Sequence, residues 1–150
     1  MKIRKAVESD LEFISSTEVV CWNEQGASKE DFYNLLQENS SSVFLDVLET
    51  EGVLRGFVGY LYDPDGNYVD IWNLAIAPEY RRSGYGFALI KHLQSKALSL
   101  KVHEICLKVS EQNTSAIKLY EKLGFETVER IENYYSAAEA AFRLTLKLIH

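Results

Sequence analysis

Two hydrophobic periodicities alternate along this chain, and their order sets the expected fold. Ile3 to Lys5 reads as a short strand. Ser9 then precedes Asp10-Leu11-Glu12 and predicts a capped helix carrying Leu11, Ile14 and Val19. Ser28-Lys29-Glu30-Asp31 fits a capping box with Asp in place of Glu, opening a second helix with Phe32, Leu35 and Leu36 on its apolar face. β-type runs follow at Val43 to Leu48, Leu54 to Tyr62 and Tyr68 to Ala77, separated by Gly52 and by the turn-forming Asp63-Pro64-Asp65-Gly66-Asn67. An antiparallel meander is predicted there. From Gly86 onward, Phe87, Ile90, Leu93, Ala97 and Leu98 recur at helical spacing. Glu104 to Val109 reads as a buried strand, and Ser115 to Leu123 as a short helix closed by Gly124. Phe125 to Ile131 and Ala140 to Leu148 are two closing strands, the last alternating Phe142, Leu144, Leu146 and Leu148 with Arg143, Thr145 and Lys147. Strand–helix–strand order in the centre predicts a crossover. The whole predicts an α/β protein of the α+β type, with a mixed, mostly antiparallel sheet of about six to seven strands flanked by about four helices.

Composition narrows this picture. A chain of 150 residues, 47% apolar, can bury one sizeable core and is short for two ordinary domains, so residues 1–150 are expected to form a single domain. A net charge of −6 opposes the broad positive field that phosphate-backbone binding requires, and nucleic acid is not an expected partner. No apolar run approaches the ~18 residues of a membrane span, and Met1-Lys2-Ile3-Arg4 leads into no signal-like stretch, so a soluble protein without a membrane partner is expected. Cys21 and Cys106 lack metal-type spacing, and His92 and His103 lie far apart; no metal is expected, and a reduced, cytoplasmic setting is.

The candidate chemistry starts at Arg81-Arg82-Ser83-Gly84-Tyr85-Gly86, between the third of the β runs and the strongest predicted helix. A helix N-terminus exposes unpaired N–H groups and the positive end of its dipole, and glycines there let the chain wrap around phosphate oxygens. Arg81 and Arg82 add charge-assisted donors, and Pro78 helps stop the preceding strand. Read alone, the segment is equally a solvated arginine pair before an ordinary helix, and it lacks the third glycine of a dinucleotide fingerprint.

The surrounding sequence, Asn73-Leu74-Ala75-Ile76-Ala77-Pro78-Glu79-Tyr80-Arg81-Arg82-Ser83-Gly84-Tyr85-Gly86, resembles the Arg/Gln-x-x-Gly-x-Gly/Ala motif of the GNAT N-acetyltransferases, with Arg81, Gly84 and Gly86 at the key positions. A second block, Asn113 to Phe125, is similar to the same family's acceptor-side helix. The resemblance implies acetyl-CoA as cosubstrate. Its pantetheine arm would pair like an added strand with the backbone around Leu74 and Ile76, and its pyrophosphate would rest on Arg81, Arg82, Ser83, Gly84, Tyr85 and Gly86. It also implies a pantetheine contact for Asn113, whose other reading is a plain helix N-cap.

Amine attack on a thioester needs a neutral amine, a polarised carbonyl and a proton for the departing thiolate. Tyr120 occupies the family's general-acid position, and backbone N–H groups near Ile76 are the expected oxyanion donors. Along the strand Asp70-Ile71-Trp72-Asn73-Leu74-Ala75-Ile76, Asp70 shares a face with Leu74 and Ile76, and six residues before Ile76 is where histone-type members of the family carry a basic glutamate. Asp70 is therefore the first choice for the base, beside its reading as an exposed charge at a strand start. Enzymes that acetylate ribosomal-protein N-termini carry a glutamate where this chain has Lys108, which leaves Glu24 and Glu111 in reserve. Arg130-Ile131-Glu132-Asn133-Tyr134-Tyr135 is similar to the paired-tyrosine hairpin of N-terminal acetyltransferases, although Ser136-Ala137-Ala138-Glu139 lacks the acidic sequence usual after it. Trp72, on the face of Asp70, is a candidate wall of the acceptor cleft or a core residue. The expected acceptor is a protein or peptide N-terminus, with a small amine such as a polyamine or aminoglycoside as the alternative and a non-catalytic acyl-CoA sensor as a further one. A monomer or homodimer is expected.

Overall fold

A computed structural model describes residues 1–22, 26–38 and 40–148. Seven strands form one mixed sheet: β1 (Lys2–Lys5), β2 (Val43–Thr50), β3 (Val53–Asp63), β4 (Tyr68–Ile76), β5 (Glu104–Ser110), β6 (Glu126–Ser136) and β7 (Glu139–Lys147), in the order β1-β2-β3-β4-β5-β7-β6. Four helices accompany them: α1 (Leu11–Trp22), α2 (Lys29–Glu38), α3 (Tyr85–Ser99) and α4 (Thr114–Lys122). The strand and helix order matches the sequence pattern. β2 and β3 pair antiparallel across a two-residue turn whose members, Glu51 and Gly52, both have positive φ, the geometry that suits the twist of a tight hairpin. β4 and β5 pair parallel over Tyr68–Ile71 and Glu104–Leu107, so α3 is the predicted crossover. That ladder ends five residues short of the end of β4.

The chain divides into two compact units, Met1–Tyr62 with Asn73–Leu93, and Asp63–Trp72 with Gln94–His150. In the first, α1 and α2 cover one face of β2 and β3. Ile14, Phe32, Val47 and Phe57 are fully enclosed there, and the Phe32 and Phe57 rings meet edge to face at 5.9 Å. Ser28 and Asp31 form the expected capping box: the Asp31 N–H donates to Ser28 Oγ at 3.1 Å, and the Ser28 N–H donates to Asp31 Oδ2 at 2.9 Å. The entry to α1 differs from the predicted Ser9 cap. A single 3₁₀ turn, Glu8–Asp10, precedes the helix, and the Asp10 carboxylate accepts the Val7 N–H at 2.8 Å and both Arg4 amino groups. Burial opposes ionisation of Asp10, but these bonds outweigh it and hold the carboxyl below its ordinary range. The apolar stripe of α1 also differs from the one predicted: Val19 is 57% exposed, whereas Thr17 and Glu18 are buried beside Leu11 and Ile14. On α3, Phe87 and Leu98 lie outward and the buried face is Leu89, Ile90, Leu93 and Ala97.

Gly56 marks the closest approach of β3 to β4. A Cβ there would lie 2.5 Å from Ile76 Cδ1 and 2.7 Å from the Ala75 carbonyl oxygen, so only glycine lets the end of β4 settle against β3. Elsewhere in this unit Tyr60 and His92 both meet Asp46, at 2.8 and 2.9 Å.

In the second unit β7 lies between β5 and β6 and pairs antiparallel with both. Ile105, Leu107 and Leu144 are among the residues buried in this unit. β6 is longer than predicted and runs on to Ser136, with register shifts on either side of the stretch from Glu129 to Ile131. It is exposed along nearly all its length and carries the charges Glu126, Glu129, Arg130 and Glu132, which suit an edge strand.

Candidate active site

The segment expected to cradle a phosphate, Arg81 to Gly86, lies in the first unit. β4 ends at Ile76, a 3₁₀ turn over Pro78–Tyr80 follows, and the Arg55 guanidinium lies 4.3 Å over the Tyr80 ring. Arg82 and Gly84 have φ of 64° and 83°, left-handed values flanking Ser83. Left-handed residues of this kind, alternating with right-handed ones, are what backbone anion sites are built from. The first bond of α3 runs from the Ala88 N–H to the Gly84 carbonyl at 3.0 Å. The N–H groups of Tyr85, Gly86 and Phe87 therefore precede the helical ladder and point out of its N-terminus. Arg82, Ser83 and Gly84 are exposed. These residues fit a pyrophosphate.

Arg81 is placed at this cradle, but its side chain turns away from it. Its Nε donates to the Ile76 carbonyl at 3.1 Å, and its Nη2 lies 3.1 Å from Cys21 Sγ. Burial pushes the Cys21 thiol up, and the adjacent guanidinium partly offsets that. Arg81 thus fastens the end of β4 to α1, and the cationic side chain left at the cradle is Arg82.

A buried polar pair beside this segment escaped the sequence reading. Asn73 is 8% exposed, and its Nδ2 donates to both Glu18 carboxylate oxygens at 2.8 and 2.9 Å; Glu18, 3% exposed, also accepts the Ala27 N–H at 3.0 Å. Asn73 Oδ1 is enclosed, with no partner among the described residues. The sequence did hold a signal for the pair. Glu18 falls on the helical stripe Leu11, Ile14, Glu18, Cys21, and Asn73 falls on the buried parity of β4 with Val69, Ile71 and Ala75.

The other parity of β4, Tyr68, Asp70, Trp72, Leu74 and Ile76, is partly or fully exposed, as the predicted shared face requires. Trp72 is 38% exposed, which removes its core reading. The predicted acid and the predicted base both belong to the second unit. Tyr120, on α4, is 7% exposed and meets Phe125 edge to face at 5.6 Å. Burial, with the Tyr135 phenol nearby, pushes its pKa up to about 12. Tyr135 meets Tyr134 edge to face at 4.8 Å, and Lys108 Nζ lies 5.9 Å from the Tyr134 ring centre. Lys108 in turn acts on Asp70, which is half-buried: burial pushes the Asp70 carboxyl above its ordinary range, and Lys108, the Cys106 thiol and Arg143 pull it part of the way back.

Asn113 is the N-cap of α4, its Oδ1 accepting the Ala116 N–H at 3.2 Å. The capping reading therefore holds, and its exposed Nδ2 is left for other contacts. Glu111 is bound by the Arg130 guanidinium at 2.8 and 3.0 Å, which holds its carboxyl below the ordinary range and suits it poorly to accept a proton. Glu24 lies outside the described residues.

A βαβ crossover entered through a glycine-containing loop, followed by a tyrosine-bearing helix, is the arrangement that the GNAT resemblance implies. Residues 9–125 match the Acetyltransferase (GNAT) family, and the chain belongs to it. The [ribosomal protein bS18]-alanine N-acetyltransferase of Escherichia coli (strain K12) is 38% identical over 69 residues, which cover 46% of this chain and 47% of that one. The chain spans about half the length of that curated relative. Among solved structures, the ribosomal-protein-S18-alanine N-acetyltransferase from Escherichia coli superposes with a TM-score of 0.85 at 25% identity, over 99% of this chain and 94% of that one. The spermidine N-acetyltransferase from Vibrio cholerae, solved in complex with CoA and spermine, shares the fold with a TM-score of 0.86 at 20% identity, over 97% of this chain and 94% of that one.

Proposed function

We propose that residues 1–150 work as one acetyl-CoA-dependent N-acetyltransferase domain, moving an acetyl group to the α-amine of a protein or peptide N-terminus by direct attack in a ternary complex. The observation that supports this reading is that a buried phenol, Tyr120, and a half-buried carboxyl of raised pKa, Asp70, lie in the same unit as Lys108 and the Tyr134–Tyr135 pair. Acetyl-CoA, when bound, supplies the thioester whose acetyl carbon is transferred. Arg82, Ser83, Gly84, Tyr85 and Gly86 hold its pyrophosphate, the backbone at Leu74 and Ile76 pairs with its pantetheine, and Asn113 Nδ2 adds a contact to that arm. Asp70 takes the proton of the attacking amine through water. As the C–N bond forms and the C–S bond breaks, Tyr120 donates to the sulfur and regains its proton from solvent. Trp72, Tyr134 and Tyr135 line the acceptor side. The ribosomal-protein acetyltransferase relative supports the N-terminal acceptor. The net charge of −6 favours the second reading, a small cationic amine, because an acidic surface steers cations.

CoA release measured against peptides varied at their first two residues, alongside polyamines and aminoglycosides, separates the two. Peptides are expected to show the higher kcat/KM. Turnover of free amines alone overturns the N-terminal acceptor.

Asp70 has its own test. A base with a raised pKa ionises as pH climbs, so the wild-type rate rises with pH through that ionisation. Asp70→Asn is expected to lower the rate roughly 10²-fold at neutral pH. Much of that loss returns above about pH 8, where α-amines are already neutral. A pH profile unchanged by the substitution removes Asp70 from the mechanism.

A further inference from the structure

The face that carries Asp70 and Tyr134 also holds two cations where an attacking ammonium would meet them badly. Lys108 on β5 and Arg143 on β7 are directly opposed Cα partners. Like charges in that position repel unless an anion compensates them. Arg143 has one, since its Nε lies 3.4 Å from Glu129 Oε1. Among the described residues no carboxylate lies within ion-pair distance of Lys108: its ammonium rests over the Tyr134 ring at 5.9 Å, and Asp70 feels it only at longer range. Lys108 is exposed, so packing does not require it. A solvated lysine needs no function, but this one is fastened over an aromatic ring between the proposed base and the paired tyrosines, with a second cation directly beside it.

The rest of the chain makes the local sign meaningful. With a net charge of −6 the protein as a whole repels anions, while solution salt screens charges beyond roughly 8 Å. What an acceptor senses on docking is therefore set by the few charges it touches. Lys108 and Arg143 penalise an acceptor that brings only its ammonium and favour one that brings a carboxylate next to it.

We infer that Lys108, backed by Arg143, is a specificity-determining residue that selects acceptors bearing a carboxylate beside the attacking amine, in the first instance peptides with Asp or Glu at their first or second position. This rests on the reading that Asp70, Tyr134 and Tyr135 frame the acceptor. The carboxylate belongs to an acidic side chain of a peptide or to the α-carboxylate of a free amino acid, and two assay arms distinguish these sources.

The peptide arm compares kcat/KM for peptides differing only as Asp against Asn at position one and Glu against Gln at position two. The small-molecule arm compares alanine with alaninamide. In the wild type the acidic member is expected to win by roughly 5- to 10-fold at low salt, the advantage shrinking as salt is raised. Lys108→Gln removes the advantage, Lys108→Glu inverts it, and Lys108→Arg retains it. Because each reading is a ratio within one variant, a variant with a lower overall rate remains informative. No preference in the wild type, or a preference unchanged by Lys108→Glu, overturns the inference. A Lys108-dependent preference for alanine with inert peptides sustains the carboxylate selection and removes the N-terminal acceptor. Transfer in neither arm overturns both.

Discussion

Tyr120→Phe is expected to lower kcat by about 10²- to 10³-fold while the Kd for acetyl-CoA stays within about twofold of wild type. The size follows from what the phenol does and what it cannot do. Its pKa is pushed up to about 12 by burial, whereas an ordinary thiol ionises near 8.5. Full proton transfer from such a phenol to a thiolate of ordinary basicity is uphill by several kcal/mol. Tyr120 therefore contributes mainly as a hydrogen-bond donor to the charge developing on sulfur. It completes the transfer as the enclosed thiolate becomes more basic in its turn. The same elevation keeps Tyr120 protonated throughout the working pH range, so no alkaline loss of activity comes from it. Phenylalanine preserves the edge contact with Phe125 and the enclosed volume, and the fold should tolerate it. Single-turnover rates with saturating acetyl-CoA, together with calorimetric titration of the cosubstrate, check both halves of the expectation. Wild-type turnover in the variant would remove Tyr120 as the donor, and a matching loss of acetyl-CoA affinity would assign it to binding instead.

What the sequence disclosed, and what it hid, follows from the range of the interactions involved. The alternation of β4 was legible because a strand covered on one face by helices must bury every second residue; Asp70, Leu74 and Ile76 fell on the open parity as expected. The Ser28–Asp31 box was legible because all its partners lie within one turn. The cradle was legible as backbone, in the left-handed Gly84 before α3, but the aim of the Arg81 side chain was not. Its sulfur partner, Cys21, comes from α1, 60 residues earlier in the chain. The same limit explains α1. Periodicity placed Val19 inward and passed over Glu18, which lies on the stripe that faces the sheet and is drawn in by Asn73, 55 residues away. On α3 the apolar residues are spread widely enough to allow two faces, and the sheet selects the one containing Leu89. The closing strand was expected to stop at Ile131, whereas β6 runs on through Tyr134 and Tyr135 to Ser136, past a register shift after Ile131 that no local pattern announces.

Glu18→Ala is expected to cost about 2–5 kcal/mol of stability, a large share of what a domain of this size possesses. The cost comes from what the substitution leaves behind. The carboxylate accepts two donors within the first unit, the enclosed Asn73 amide and the half-buried Ala27 N–H. Removing it strands both, at about 1–3 kcal/mol for each unsatisfied donor. Asn73 is already short of one partner at Oδ1, so the variant would leave its whole amide enclosed and unpaired. The double variant Glu18→Leu with Asn73→Leu separates this account from a loss of packing volume. Replacing both partners with apolar groups removes the stranded amide and leaves only the Ala27 N–H without its acceptor, so the pair should recover a substantial part of the loss. Urea unfolding of the wild type, the two single variants and the double variant closes the cycle. A coupling energy near zero would mean that Glu18 and Asn73 are each held by their surroundings rather than by one another. A coupling of about 1–3 kcal/mol makes their hydrogen bonds the tie between α1 and β4, the strand that also carries the proposed pantetheine-binding backbone.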